Sequence, residues 1–160
     1  MFEKPKSGWI TFESGKFRGN CSYINPFTFK LLESLNEHIL TKNSVCVTID
    51  EEGSDFTFVF TEYYNVTIII NRMFLQITAL DLTPFEFAKE LVKDIEENLT
   101  DWEFFVLAEE GYVEKFDDSG EKEYILEEFY ERLNLLKYTI NREEKRKWEI
   151  LVVKVKWLKF

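Results

Sequence analysis

Three consecutive runs set the limits on how this chain can fold. Residues 55–62 read Asp-Phe-Thr-Phe-Val-Phe-Thr-Glu, residues 64–71 Tyr-Asn-Val-Thr-Ile-Ile-Ile-Asn, and residues 73–80 Met-Phe-Leu-Gln-Ile-Thr-Ala-Leu. Aromatic and β-branched side chains suit a pleated, half-buried surface, so each run reads as a strand. The links between them are short, and a two-residue loop at Asn71-Arg72 suits a hairpin. Strands joined so closely must be antiparallel neighbours, because a parallel pair needs a long crossover. Thr83-Pro84-Phe85-Glu86 follows at once. Thr83 and Glu86 have capping-box spacing and Pro84 stands at the first helical position, so a helix starts there.

The rest of the chain extends this layout. Residues 9–13 and 17–24 predict a hairpin turning at Ser14-Gly15-Lys16, with Gly19 placed for a bulge. Asn25-Pro26 reads as a helix start, and Phe27, Leu31, Leu32, Leu35 and Ile39 recur at helical spacing, which predicts a helix over 26–42. Val45, Val47 and Ile49 alternate as a strand should. After Thr83, the stripe Phe85, Ala88, Leu91, Val92, Ile95 and Leu99 predicts a helix over 84–99. The aromatic run 102–107 reads as a strand, and Gly111 turns it towards a second hairpin strand at 112–116. Asp118 is placed to cap a third helix over 121–136, with Ile125, Leu126, Phe129, Leu133 and Leu136 on one side. Residues 137–141 and 148–158 alternate like a closing pair of strands, with Lys154 and Lys156 outward, as suits a sheet edge. The expectation is one α+β domain over 1–160: an antiparallel sheet with a central meander at about 45–80, packed by about three helices, and a C-terminal strand at 148–158.

Composition narrows the classes of function. Aromatic residues make up 17% of the chain and phenylalanines number sixteen, which excludes a disordered chain and supplies core area needing no hydrogen-bond partner. No apolar stretch reaches the roughly 18 residues that span a bilayer, and the charged start lacks a secretory apolar run. Cys21 and Cys46 lack Cys-x-x-Cys spacing and read as reduced thiols in a cytoplasmic protein. A formal net charge of −10 argues against a phosphate-backbone binder.

No chemical motif stands out. His38 is the single histidine, and a metal site needs three or four converging ligands, so no metal or cofactor is expected. Neither cysteine has the context of a nucleophile paired with His38. The six glycines form no phosphate-binding loop. The pairs Glu51/Glu52, Glu96/Glu97, Glu109/Glu110 and Asp117/Asp118 read as solvated rather than catalytic, since a catalytic acid needs burial or a close like charge.

The layout of charge says more. Between Asp94 and Glu131 stand fifteen acidic residues against Lys115 and Lys122, a local charge of −13, while the remainder carries +3. Trp102, Tyr112, Phe116, Tyr124 and Tyr130 are threaded through that segment. Acids beside aromatics suit a binder of a cationic protein: charge selects and steers the partner, and desolvated rings anchor it. The candidate partner-binding residues are Glu109, Glu110, Tyr112, Glu114, Phe116, Asp117 and Asp118, in a turn-rich connection where side chains tend to be presented.

The stretch 73–80 running into Thr83-Pro84-Phe85-Glu86-Phe87-Ala88, in a small acidic aromatic-rich chain, resembles the immunity proteins of contact-dependent and polymorphic toxin systems. That resemblance implies a non-enzymatic inhibitor of a basic bacterial toxin domain, possessing no catalytic set, and it assigns no residue a role. The alternatives are a phage-encoded inhibitor that mimics nucleic acid, a small carboxylate-dependent hydrolase, and a regulatory module without a tight partner.

Overall fold

In the computed structural model the described residues are 1–24, 26–62, 66–71, 73–74, 76–111 and 119–157, with backbone alone for Val66, Ser119 and 150–157. The fold is α+β, as expected. A hairpin of β1 (Trp9–Ser14) and β2 (Phe17–Ser22) leads into α1 (Thr28–Thr41). Four strands follow, β3 (Val45–Asp50), β4 (Asp55–Thr61), β5 (Val66–Asn71) and β6 (Gln76–Leu80), then α2 (Pro84–Glu97), α3 (Leu99–Glu109) and α4 (Ser119–Trp157).

The meander pairs in chain order, β3-β4-β5-β6, antiparallel throughout. Val47, Phe58 and Ile69 lie in register across it, as do Ile49, Phe56 and Asn71. These rows turn inward and are buried. Phe58 sits at the centre, with ring centroids of Phe12, Phe87 and Phe56 at 4.9, 5.2 and 5.3 Å. The β1–β2 hairpin packs against the same inward face, through Phe12 on Phe58 and Phe17 on Phe56 at 5.1 Å. Phe2 joins them, and its backbone N–H donates to Asp94 Oδ2 at 2.8 Å, tying the first residues to α2.

Several local signals hold. Thr83 N–H donates to Glu86 Oε2 at 2.9 Å and Glu86 N–H donates to Thr83 Oγ1 at 3.1 Å, the reciprocal capping box. The Thr83 N–H, and then the Thr83 hydroxyl donating to Oε2 at 2.8 Å, hold the Glu86 carboxyl below its ordinary range. Gly15 takes φ of 61° in the turn that the Ser14–Phe17 pair closes.

Gly19 differs from expectation. It forms no bulge but pairs regularly with Phe12, and a Cβ there would lie 2.6 Å from the Phe56 ring. The glycine makes room for a phenylalanine. The β5–β6 loop is also longer than two residues: Asn71 pairs with Gln76, and Asn71 Oδ1 accepts from Phe74 N–H at 3.1 Å. Phe87 rather than Phe85 enters the core, and Phe85 instead lies under Lys147, 4.0 Å from its ring centroid.

Two strand expectations are overturned. Residues 102–107 form most of α3, not a strand. Trp102, Phe105, Val106 and Glu109 are buried at helical intervals, and Leu107 beside them makes the helix apolar on most sides, so no clear periodicity marked it. Residues 137–141 and 148–157 belong to α4, one helix of 39 residues, about 58 Å at 1.5 Å per residue. No glycine or proline interrupts the chain from Glu121 to Trp157, and the buried stripe Phe129, Leu133, Leu136 and Ile140 carries helical spacing past 136. Thr139 Oγ1 donates to Asn36 Oδ1 at 2.6 Å, and Lys89 Nζ reaches Glu144 Oε1 at 2.6 Å, which fastens this later part to α1 and α2. The helix expected to start at Asn25-Pro26 starts later, at Thr28, with Phe27 in the cap position and Pro26 ahead of it. Asn25 itself, the expected strand at 112–116 and the cap at Asp118 lie outside the described residues.

Truncating Phe58→Ala is expected to lower unfolding free energy by about 3–5 kcal/mol through lost burial and a residual cavity. Gly19→Ala, which must displace the Phe56 ring, is expected to cost about 1–3 kcal/mol. Urea denaturation followed by circular dichroism reads both, and a neutral Phe58→Ala would remove that ring from the core.

Candidate functional site

The last turn of α3 carries the first two sequence-selected residues, and they part company. Glu109 is buried, 6% exposed, with its Oε1 accepting from Phe27 N–H at 2.9 Å and Thr28 N–H at 3.3 Å. Those N–H groups belong to the start of α1, where helical donors lack intrahelical partners. Glu109 therefore caps a helix 82 residues earlier in sequence and offers nothing to a partner. Burial pushes its carboxyl up to about 7 against the pull of those donors. Glu110, its neighbour, is exposed. Tyr112, Glu114, Phe116, Asp117 and Asp118 lie outside the described residues.

Other members of the acidic segment are also accounted for within the fold. Trp102 is fully buried beside Phe2 and Phe105. Tyr130 O–H donates to the Glu103 carboxylate, which holds the phenol up at about 12. Asp94 holds the N-terminal segment, Asp101 meets Lys4 at 3.0 Å, and Glu96 pairs with Lys137.

Besides Glu97 on α2 and Glu110 after α3, outward residues gather on the first half of α4. Tyr124, Glu127, Glu131, Leu135 and Tyr138 are all exposed. Their spacing of three, four and seven residues puts them on one ridge of the helix. Tyr124 is 60% and Tyr138 63% exposed, large for aromatic rings. Tyr124 O–H donates to Glu128 Oε1 at 3.0 Å, which raises the phenol above its usual range. Glu128 is in turn met by Arg132 at 3.6 Å, while Glu127 and Glu131 have no ion-pair partner among the described residues. This spacing is legible in the sequence once the helix is known to continue past residue 136. The helix turns basic further along, where Arg142, Lys145, Arg146 and Lys147 outnumber Glu143 and Glu144.

Nucleophilic and metal chemistry find little here. The Cys21 thiol is buried and held well above its usual range, first by that burial and then by the Glu109 and Glu51 carboxylates. An activated thiol needs the opposite setting. His38 Nδ1 lies 2.6 Å from the Asn43 carbonyl, so that nitrogen is the donor and the ring ties down the end of α1. Among the described residues no three histidine, cysteine or acidic side chains gather as metal ligands. The groove between α1 and α4, about 510 Å³, is lined by Lys42, Arg142, Glu143 and Arg146 among others. Glu143 is partly buried there, yet Arg146 and Lys42 hold its carboxyl low, which makes it a poor proton donor.

No described helix is long and apolar enough to cross a membrane. No family model, curated protein or solved structure matches this chain.

The Glu109 cap predicts a particular pH dependence. A carboxyl whose folded pKa lies above its unfolded value of about 4.5 favours the folded state while it is protonated. That contribution is complete below about pH 4.5 and is lost as the pH rises through about 7, a difference of about 3 kcal/mol at 1.36 kcal/mol per unit. Urea midpoints of the native chain should therefore fall between pH 5 and 7.5. Glu109→Gln, which keeps an accepting oxygen, should flatten that fall. An equal slope in the variant would place the titration elsewhere.

Proposed function

We propose that this chain is a non-enzymatic inhibitor of the immunity type, a cytoplasmic protein that binds and neutralises a basic bacterial toxin domain. The observation that carries the reading is the ridge of Tyr124, Glu127, Glu131 and Tyr138, where carboxylates without an ion-pair partner among the described residues stand beside exposed rings on a long helix. A cationic protein surface is attracted by the carboxylates, and the rings supply the apolar contact area that charge alone does not. Glu110, exposed at the end of α3, adds to the same charge. Glu109 belongs to the fold and is withdrawn from the binding set, while Tyr112, Glu114, Phe116, Asp117 and Asp118 stay in the proposal by sequence.

Support also comes from what the helix rests on. Phe129, Leu133 and Leu136 are buried directly behind the ridge, and Arg132 spans to Glu33 on α1 at 2.6 Å. A ridge backed by packed core is preorganised, so little ordering entropy opposes binding.

The test is titration calorimetry against the product of the adjacent gene, with its toxic activity assayed in parallel. A one-to-one complex that silences the toxin is expected, and its association rate should fall with added salt. Glu127→Lys with Glu131→Lys should weaken binding at least 100-fold, about 2.7 kcal/mol, with thermal stability nearly unchanged. Full affinity in that double variant would remove the ridge from the interface, and turnover of any substrate by the chain itself would contradict the non-enzymatic reading.

A further inference from the structure

The face of the meander turned away from the helices is built from two rows in register. One is Cys46, Val59, Ile68 and Ala79, and the other is Thr48, Thr57, Ile70 and Ile77. No side chain in either row is charged. Cys46, Thr48, Ile77 and Ala79 are exposed, Ile77 by 72%, Val59, Ile68 and Ile70 are partly so, and Thr57 is buried between its neighbours. An antiparallel sheet that meets water on one side ordinarily carries polar and charged residues there. This one carries four branched aliphatic side chains, and none of the described helices covers them. Met73 and Phe74, 64% and 68% exposed, prolong the apolar surface at the β5–β6 loop.

We infer that this face joins two copies of the chain, sheet against sheet. Three observations are compatible with a second copy. The first is charge: each chain carries −10 and copies repel wherever their acids meet, so the two uncharged rows are where the chains can approach. The second is shape. A two-fold axis running across the strands lays each strand over its own copy in the opposite direction. Ile77 then stands over Ala79 of the copy and Val59 over the small Thr57, while Ile68 meets Ile70 of the copy in direct aliphatic contact. The same axis sets Asp50 and Asp55, at one margin of the face, over the Ser44 and Thr61 margin and not over the copy's own aspartates. The third is area. Four strands about 4.8 Å apart and five residues long cover roughly 320 Å² in plan. With side-chain relief and the loop residues, pairing would remove on the order of 1,000–1,200 Å² in total, which reaches the range of specific interfaces. Sheets stacked in this way sit about 10 Å apart, within reach of the aliphatic side chains.

The inference is independent of what α4 binds, since the ridge and this face belong to different elements. Its test is sedimentation equilibrium of the native chain from 5 to 200 µM, with Cys46 as a reporter. Cys21 is buried and Cys46 exposed, so a short bifunctional maleimide reads Cys46 alone in the folded protein. The expected mass at high concentration is twice the 19.2 kDa of one chain, with a covalent dimer formed through Cys46. Ile77→Lys, at a position already exposed in one chain, should return the single-chain mass and abolish the cross-link with its circular dichroism unchanged. Leu40→Lys, an exposed change on α1, should leave the dimer intact. A single-chain mass at 200 µM would overturn the inference, as would a dimer that survives Ile77→Lys. So would a native chain that stays single and has Cys46 shielded only by a foreign partner, because the face would then belong to that partner.

Discussion

The burial of Phe58 is the contact on which the remaining structure depends. Its ring lies within 5.3 Å of Phe12, Phe87 and Phe56, and within 6.3 Å of Phe60 and Phe2, so it joins the hairpin, the meander, α2 and the N-terminal segment at one point. Most of these ring pairs meet edge to face, the arrangement their quadrupoles favour. Phenylalanine brings no polar atom that needs a partner, which allows six rings to gather without a hydrogen-bonding penalty. Strand geometry does the rest. A period of two puts Phe56, Phe58 and Phe60 together on one side and leaves Thr57 and Val59 on the other, and a slip of one residue would exchange the faces.

That division explains where function has room to sit. The helices are drawn to the phenylalanine face, and α4, being the longest, packs its Phe129 to Ile140 stripe on α1 and α3 and leaves its opposite ridge to solvent. Much of the acidic segment goes into holding this arrangement: Asp94 anchors the chain start, Glu103 meets Tyr130, and Glu109 caps α1. A net count of −13 over that segment therefore overstates the charge a partner would meet. The carboxylates left over on α4 are fewer, but they stand among exposed rings.

How much could be read from the sequence follows from the range over which each signal acts. The meander and the Thr83–Glu86 capping box are local, decided by neighbours two or three residues apart, and both are found as expected. The α3 helix is not legible in the sequence because its apolar residues surround it, and an element buried on most sides loses the periodicity that separates helix from strand. The second half of α4 is not legible as helix because a few alternating residues also suit a strand, and its tie points, Glu143 to Lys42 and Glu144 to Lys89, belong to distant segments. Glu109 shows the limit for the site. Beside Glu110 it looks like any solvated acid, and only the approach of Phe27 and Thr28 makes it structural.

The most direct measurement is the paramagnetic broadening of isoleucine methyl signals by a neutral gadolinium chelate, recorded by NMR on a dilute sample of the native chain. Methyls of Ile49 and Ile69, on the phenylalanine side, should stay sharp, while those of Ile70 and Ile77 should broaden strongly. Broadening at Ile69 with protection at Ile77 would reverse the two faces of the sheet and contradict the account at its root.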